Sequence, residues 1–178
     1  MNLGAPRRSR AATMGPERRI QTAVFAWARM SVNVHSQLEL LYAVPNGGGL
    51  RHSVKRAASG KNIRYSPEGK RLKQEGLTEG MPDVNLDVAA GIWHGLRIEH
   101  KAPGAYPTPM QRYRMALLTV AGFLCLVSRD VEDSIAAIKE WIALSSDGAH
   151  PNIQTLDRLR FSPKPADFTK PAPKPRRK

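Results

Sequence analysis

The feature that most constrains the fold is the stretch at residues 81–101, MPDVNLDVAAGIWHGLRIEHK. Two short strands flank a glycine-bounded turn at 91–95, which is the pattern of a β-hairpin. Because side chains alternate faces along a strand, Glu99 and Lys101 share one face while His100 points to the other. If the strands pair across the turn, Asp83 lies beside Glu99. The hairpin therefore predicts two carboxylates and one ammonium in a small patch.

Such a patch needs a compensating charge, because two close carboxylates repel each other and tend to take up a proton. Mg²⁺ and Mn²⁺ prefer hard oxygen ligands and bind one or two carboxylates together with a substrate phosphate. Lys101 can then position an attacking water, so the residues favour metal-assisted hydrolysis of a phosphodiester. The spacing alone leaves a second explanation open: Asp83 caps a turn, and Glu99 and Lys101 form an ordinary exposed pair on an edge strand.

Further motifs flank the hairpin in the chain. They are GPE at 15–17, VPNGG at 44–48, residues 76–82 leading into Asp83, and TPMQ at 108–111. Taken in this order, the set resembles the VRR-NUC family of PD-(D/E)XK nucleases over roughly residues 16–144. The resemblance implies a restriction-endonuclease-like core and a metal-dependent DNA endonuclease of the stand-alone phage and bacterial type.

The resemblance also implies which residues form the active site. The catalytic positions are Glu17, Asp83, Glu99, Lys101 and Gln111. The implied metal is Mg²⁺ or Mn²⁺, bound by Asp83, Glu99 and the backbone carbonyl of His100, with Glu17 bound directly or through water. His100 departs from the family pattern, in which an aliphatic residue is usual at this position. Because the contact is made by the backbone, this substitution is compatible with metal binding.

Two of these positions have a structural explanation as well. Glu17 lies in the first turn of a helix that begins near Pro16, where the helix dipole favours an anion. The sequence from Thr108 to Gln111 matches a capping box, with Thr108 as N-cap and Gln111 reaching back to it. The sequence leaves both the structural and the catalytic explanation open.

The net charge of +13 is concentrated in three segments. Residues 1–20 carry five basic and one acidic side chain, residues 50–73 carry eight and one, and residues 164–178 carry six and one, so the remainder is slightly acidic. Basic arms around an acidic body are typical of a protein that binds a polyanion. The predicted nucleic-acid contacts are Asn46, Gly47 and Gly48, chiefly by the resemblance, and the basic residues Arg51, Lys70, Arg71 and Lys73.

The periodicity predicts an α/β fold, with a mixed central sheet flanked by helices in the order α-β-β-β-α-β-α. The three parts are a disordered basic arm at 1–14, a nuclease domain at 15–145, and a C-terminal extension at 146–178. Within the domain we expect a basic insertion at about 50–73, in which residues 51–65 form a loop and 66–75 a helix. In the extension we expect a short helix at 153–159 and, from residue 163, an extended and mobile Pro/Lys/Arg tail.

Composition limits the partners. No apolar run approaches the roughly 20 residues of a membrane span, and the single cysteine, Cys125, excludes a disulfide framework or a zinc cluster and is expected to be buried. We therefore expect a cytoplasmic protein without an organic cofactor that binds DNA. The resemblance adds a homodimer and a branched, flap or Holliday-junction-like substrate. Two alternatives stay open, a noncatalytic DNA-binding protein that retains the fold and a basic RNA-associated protein.

Overall fold

The computed structural model describes residues 14–44, 53–56, 60, 62–147 and 152–172. The helices are α1 Pro16–Ser31, α2 Pro67–Gln74, α3 Pro109–Val120, α4 Val131–Asp147 and α5 Gln154–Leu159. The strands are β1 Leu41–Ala43, β2 Ser53–Arg56, β3 Asn62–Tyr65, β4 Val84–Leu86, β5 Gly95–His100 and β6 Phe123–Ser128. Two 3-10 helices span Ser36–Leu40 and Pro165–Phe168. None of the helices in these ranges is long and apolar enough to span a bilayer.

The main sheet has four strands in the order β1-β4-β5-β6. Strand β4 is antiparallel to both β1 and β5, whereas β5 and β6 are parallel. Parallel neighbours need a crossover connection, and α3 provides it between β5 and β6. Strands β2 and β3 form a separate antiparallel hairpin, in which Ser53 pairs with Tyr65 and Arg56 with Asn62.

One face of the main sheet is apolar and packs against α1 and α4. Alternate residues of the central strands, including Leu86, Ile98 and Leu126, are buried there. Helix α1 contributes Val24 and helix α4 contributes Trp141, and neither side chain is exposed. Burial of this apolar area, at about 25 cal/mol per Å², is the main stabilisation of the fold.

The opposite face of the sheet is polar and lies under α3. Asn85, Arg97 and Glu99 alternate with the apolar residues and are all nearly fully buried. Cys125 lies on this face as well, and its thiol donates to the Met115 carbonyl of α3 at 3.6 Å. Buried polar side chains need hydrogen-bond or ion-pair partners inside the protein. The partners of Glu99 form part of the candidate site.

The predicted mixed sheet with flanking helices is confirmed, and so are the helices predicted at 66–75 and 153–159 and the burial of Cys125. Two local predictions are wrong. The insertion expected to be a loop at 51–65 contains β2 and β3, because two short segments without a detectable period pair with each other. Such pairing depends on cross-strand contacts that a window of sequence does not report.

The expectation of an extended tail from residue 163 is wrong at Pro165–Phe168, which form a 3-10 helix. The 3-10 helix Pro165–Phe168 packs on α3, where buried Asp167 accepts from Arg112 Nε at 2.9 Å. Upstream of it, the Phe161 N–H donates to the Cys125 carbonyl at 2.8 Å. The C-terminal segment therefore runs along the outer edge of β6 and returns to α3.

Candidate active site

The register of the β4–β5 hairpin brings the predicted acids together. Val84 pairs with Ile98, so Asp83 and Glu99 are opposite one another at the end of the strands, on the polar face. Asp83 Oδ2 accepts a hydrogen bond from the His100 main-chain N–H at 2.8 Å. This bond holds the Asp83 carboxylate against β5, and the predicted convergence of the two acids is confirmed.

Glu99 is the centre of the cluster. Its side chain is 1% exposed, and Lys101 Nζ lies 2.7 Å from Oε1. Gln111 Nε2, from α3, donates to the same oxygen. The other oxygen, Oε2, is buried and has no hydrogen-bond partner in the described residues. Glu99 thus presents one bonded and one unbonded carboxylate oxygen.

Helix α1 adds a third acid to the cluster. Pro16 occupies the first helical turn and Glu17 follows it, half exposed, with Oε1 at 3.5 Å from Lys101 Nζ. The Ala102 main-chain N–H also donates to Glu17 Oε1, at 3.4 Å. Lys101 is therefore held between the acid of α1 and the acid of β5.

Gln111 forms the predicted capping box and also contacts the acidic cluster, while its catalytic role stays a prediction. Its Oε1 accepts from the Thr108 main-chain N–H at 2.8 Å, and Thr108 Oγ1 accepts from the Gln111 N–H at 3.3 Å, which completes the capping box. The amide nitrogen of the same side chain remains available and donates to Glu99. One residue thereby caps α3 and fixes the central carboxylate.

The loop that leads into Asp83 fits tightly against the first turn of α3. Gly80 has φ +85°, and a Cβ at this position would come within 2.8 Å of the Met110 carbonyl oxygen. A side chain there would push the loop away from the helix turn that carries Gln111. Glycine at this position therefore keeps Asp83 and Gln111 in the same site.

The electrostatics of the site reflect an excess of acid over base. Burial, and then the charge of Asp83, raise the pKa of Glu99 to about 8, although Lys101 acts in the opposite direction. Burial alone lowers the pKa of Lys101, but its hydrogen bond to Glu99 and the surrounding acids outweigh burial, and the pKa is raised. The cluster thus stabilises an ammonium and disfavours a second buried carboxylate charge.

These features fit a divalent cation. In the described residues no group of three or more His, Cys, Asp and Glu side chains is arranged to hold a metal. However, Asp83 and Glu99 supply two hard carboxylate ligands, and the unbonded Oε2 of Glu99 marks an unmet demand for positive charge. A magnesium-type ion that keeps water and takes substrate oxygens requires only one or two protein carboxylates.

The side chain of His100 points away from the cluster, as predicted, and takes part in a buried network that the sequence did not reveal. His100 Nε2 lies 3.1 Å from Ser134 Oγ on α4, and Ser134 Oγ donates to Ser128 Oγ at 2.8 Å. Burial, followed by the charge of Lys101, lowers the pKa of His100 to about 4, so the ring is neutral. The network joins β5, β6 and α4 directly behind the acidic cluster.

The predicted nucleic-acid contacts are only partly described. Asn46, Gly47, Gly48 and Arg51 lie outside the described residues. Lys70, Arg71 and Lys73 are exposed on α2. Arg71 Nε lies 3.5 Å from Glu75 Oε1, and in the described part of the chain none of the three pairs with an acid of the cluster. Helix α2 therefore presents a basic surface, but the structure does not join it to the site.

Comparisons with known proteins agree with this architecture. No family model matches the sequence, and no match was found among the curated proteins. A solved structure described as "VRR_NUC domain protein" matches with a TM-score of 0.54 and 26% sequence identity. The match covers 78% of this chain and 98% of the other. The fold is accordingly a mixed α/β fold consistent with a restriction-endonuclease-like core, and the similarity suggests a nuclease-fold domain.

Proposed function

We propose that the protein is a metal-dependent DNA endonuclease. The observation that carries this proposal is the convergence of Asp83, Glu99 and Lys101 at one end of β4 and β5, with Glu99 buried and one of its oxygens unbonded. A structural ion pair would not need a second acid opposite the first, because the added charge opposes burial. The similarity to a VRR_NUC domain protein supports the same conclusion.

The carboxylates of Asp83 and Glu99, together with the His100 carbonyl, would hold Mg²⁺ or Mn²⁺. Glu17 would add a ligand directly or through water. When bound, the ion would supply Lewis-acid stabilisation of charge on the scissile phosphate. The hydrogen bonds from His100 to Asp83 and from Gln111 to Glu99 orient the two acids for this role.

Lys101 would act on the attacking water. Its side chain is 8% exposed, and the ammonium lies 2.7 Å from Glu99 and 3.5 Å from Glu17. The surrounding acids keep it protonated, so it donates hydrogen bonds and positions the water rather than removing its proton. Gln111, fixed by the capping box, would contact the same water or the phosphate.

The activity is tested by incubating the full chain with supercoiled plasmid in Mg²⁺, Mn²⁺ or EDTA. Cleavage is expected with either ion and absent in EDTA. Glu99→Gln should abolish cleavage and also weaken Mn²⁺ binding, measured by electron paramagnetic resonance without DNA. Retained DNA binding with no cleavage under any metal condition would instead support the noncatalytic DNA-binding alternative.

We further propose that the substrate is branched and that the protein acts as a homodimer, as the resemblance implies. A four-way junction, a flap and a linear duplex of equal length, compared in one cleavage series, test the first point. Light scattering of the purified chain tests the second. Equal cleavage of all three DNAs, or a monomeric mass, would remove the corresponding refinement without affecting the proposal of nuclease activity.

A further inference from the structure

An open cleft of about 800 Å³ lies next to the candidate site, and the nuclease chemistry does not use it. The loop at 102–107, the edge of β6, helix α5 and the C-terminal 3-10 helix surround it. Its lining includes Tyr106, Val127, Arg129, Arg160 and Lys164. The volume lies within the range of about 300–1,000 Å³ that is usual for ligand sites.

The cleft is lined by more basic side chains than the carboxylates in it can pair with. Two of its basic residues pair with acids: Arg158 binds Asp133 at 2.6 Å, and Arg112 binds Asp167 at 2.9 Å. A second set, consisting of Arg129, Arg160 and Lys164, makes no ion pair with a carboxylate in the part of the chain that the structure describes. The unneutralised charge is suited to phosphate groups.

Aromatic rings accompany these cations. Tyr106 is 80% exposed, which is unusual for a large ring, and the Arg129 guanidinium lies 5.5 Å from the centre of its ring. Arg129 also donates twice to the Ala105 carbonyl, at 2.9 and 3.1 Å, which fixes the loop that presents Tyr106. Arg160 lies 5.0 Å from the ring centre of Trp93, which is partly buried against the core and is not among the residues that line the cleft. The exposed ring of Tyr106 beside cations matches the pattern by which proteins bind single strands of nucleic acid.

The cleft lies next to the acidic cluster in which we propose that cleavage occurs. Val127, which lines it, pairs in register with Glu99, and neighbouring strands lie about 4.8 Å apart. The loop at 102–107 follows Lys101 directly, and Arg112, which follows Gln111, donates to the Pro107 carbonyl at 2.9 Å. The cleft therefore borders the strand next to the one that carries Glu99, so a DNA strand that leaves the acidic cluster can reach it.

We propose that the cleft binds a single-stranded DNA segment continuous with the duplex at the active site. Arg160 and Lys164 contact its phosphates, and Tyr106 stacks on one of its bases. This inference rests on the proposed function for its substrate class, but it concerns binding and does not require cleavage. It assigns to the C-terminal extension a part in recognising DNA that has a single-stranded arm.

The test measures binding in EDTA with full-length Glu99→Gln protein, so that cleavage cannot contribute. The probes are a fluorescein-labelled duplex, the same duplex with a thymidine tail at either end, and the same duplex with a uridine RNA tail. We expect the DNA-tailed duplex to bind about tenfold more tightly than the blunt one, and Tyr106→Ala to remove most of that preference. Arg160→Ala/Lys164→Ala should make the salt dependence of tail binding shallower by about 1.4 in log–log slope.

The matched control is Arg29→Ala/Lys139→Ala, which removes two exposed cations from α1 and α4, the helices on the other face of the sheet. It should leave the preference for the tail intact. The inference is overturned if the blunt and tailed duplexes bind equally, if the control removes the preference as fully as the cleft variant, or if the RNA tail is preferred. Absence of plasmid cleavage by the wild-type protein in Mg²⁺ and Mn²⁺, with the tail preference intact, would count against the nuclease proposal alone.

A photocrosslink provides a second readout that does not depend on affinity. A tail containing 5-iodouracil should crosslink to Tyr106, and peptide mapping by mass spectrometry would identify the residue. Crosslinks confined to α1 or α2 would overturn the assignment of the strand to this cleft.

Discussion

Strands β4 and β5 carry two clusters of charge on the same face of the sheet, and the clusters differ in their balance. At one end, Arg97 is 6% exposed and binds Asp87 at 2.8 Å, donates to the Leu96 carbonyl, and stacks over the Phe123 ring at 4.1 Å. At the other end, the single ammonium of Lys101 faces more than one acid. In the first cluster one base pairs with one acid, whereas in the second the acids outnumber the base.

This difference in charge balance distinguishes residues that stabilise the fold from residues whose burial destabilises it. In the Arg97 cluster a buried guanidinium pairs with the half-exposed carboxylate of Asp87, so each charge has a partner. The Glu99 cluster leaves a buried carboxylate oxygen without a hydrogen bond and raises the pKa of its acid to about 8. Perturbed groups of this kind concentrate at functional sites. Substitutions at the two ends should therefore have opposite effects on activity and on stability.

The largest expected effect is on cleavage. Asp83→Asn should reduce the rate of plasmid nicking in Mg²⁺ by about 100- to 1,000-fold, because the amide lacks the charge needed to hold a cation or stabilise the reaction. Asp87→Asn, which removes one acid from the other cluster on the same strand pair, should change the rate less than about threefold. Equal losses in both variants would show that the two clusters do not differ in function.

For stability the order of the two clusters should be reversed: a substitution in the Arg97 cluster should destabilise the protein, and one at Glu99 should not. Arg97→Met removes an ion pair, a main-chain hydrogen bond and a ring contact, and should lower the free energy of unfolding by about 2 kcal/mol, or the Tm by about 6 °C. Glu99→Gln in EDTA should leave the Tm unchanged or raise it, because burial already disfavours the carboxylate charge. Thermal unfolding followed by circular dichroism measures both. A marked fall in Tm for Glu99→Gln would show that the Glu99 cluster stabilises the fold as the Arg97 cluster does.

The geometry of the acidic end should depend on Gly80. Gly80→Ala imposes a left-handed conformation on a side chain that also meets the Met110 backbone, so it should cost about 1–3 kcal/mol. It should also reduce cleavage by displacing Asp83 from Gln111. Gly76→Ala is the control, because φ there is +102° but nothing lies within 4 Å of the added Cβ. Similar cleavage rates for the two variants would argue against a role for the tight contact.

The smallest expected effect is on stability and concerns Asp167, a buried acid that, unlike Glu99, has hydrogen bonds to both carboxylate oxygens. The N–H of Lys164, and then Arg112, lower its pKa, so its charge contributes stability that is present above the unfolded pKa of about 3.9 and lost as the pH falls through the folded pKa. Asp167→Asn should therefore be about 1 kcal/mol less stable than the wild type at pH 7, with the difference shrinking as the pH falls below about 4. Urea unfolding at a series of pH values measures this. A difference that persists at low pH would show that the loss comes from packing.

Much of the site could be predicted because its residues follow one another closely in sequence. The alternation of β5 put Glu99 and Lys101 on one face, and the glycine-bounded turn brought Asp83 back to them. The capping box at Thr108 was visible for the same reason. By contrast, the contact between Glu17 and Lys101 joins residues 84 positions apart, and only the resemblance to a known family suggested it.

The sequence by itself determined the helices and the strands of the main sheet, the faces of those strands, and the location of the basic charge, because these depend on local periodicity and composition. It did not reveal β2 and β3. Tertiary structure alone decided that the C-terminal segment returns to α3, that Arg129 and Arg160 meet at one cleft, and that His100 bonds to Ser134. Those contacts connect residues distant in the chain. Their formation depends on packing between whole elements, which leaves no periodic signal in the segments that take part.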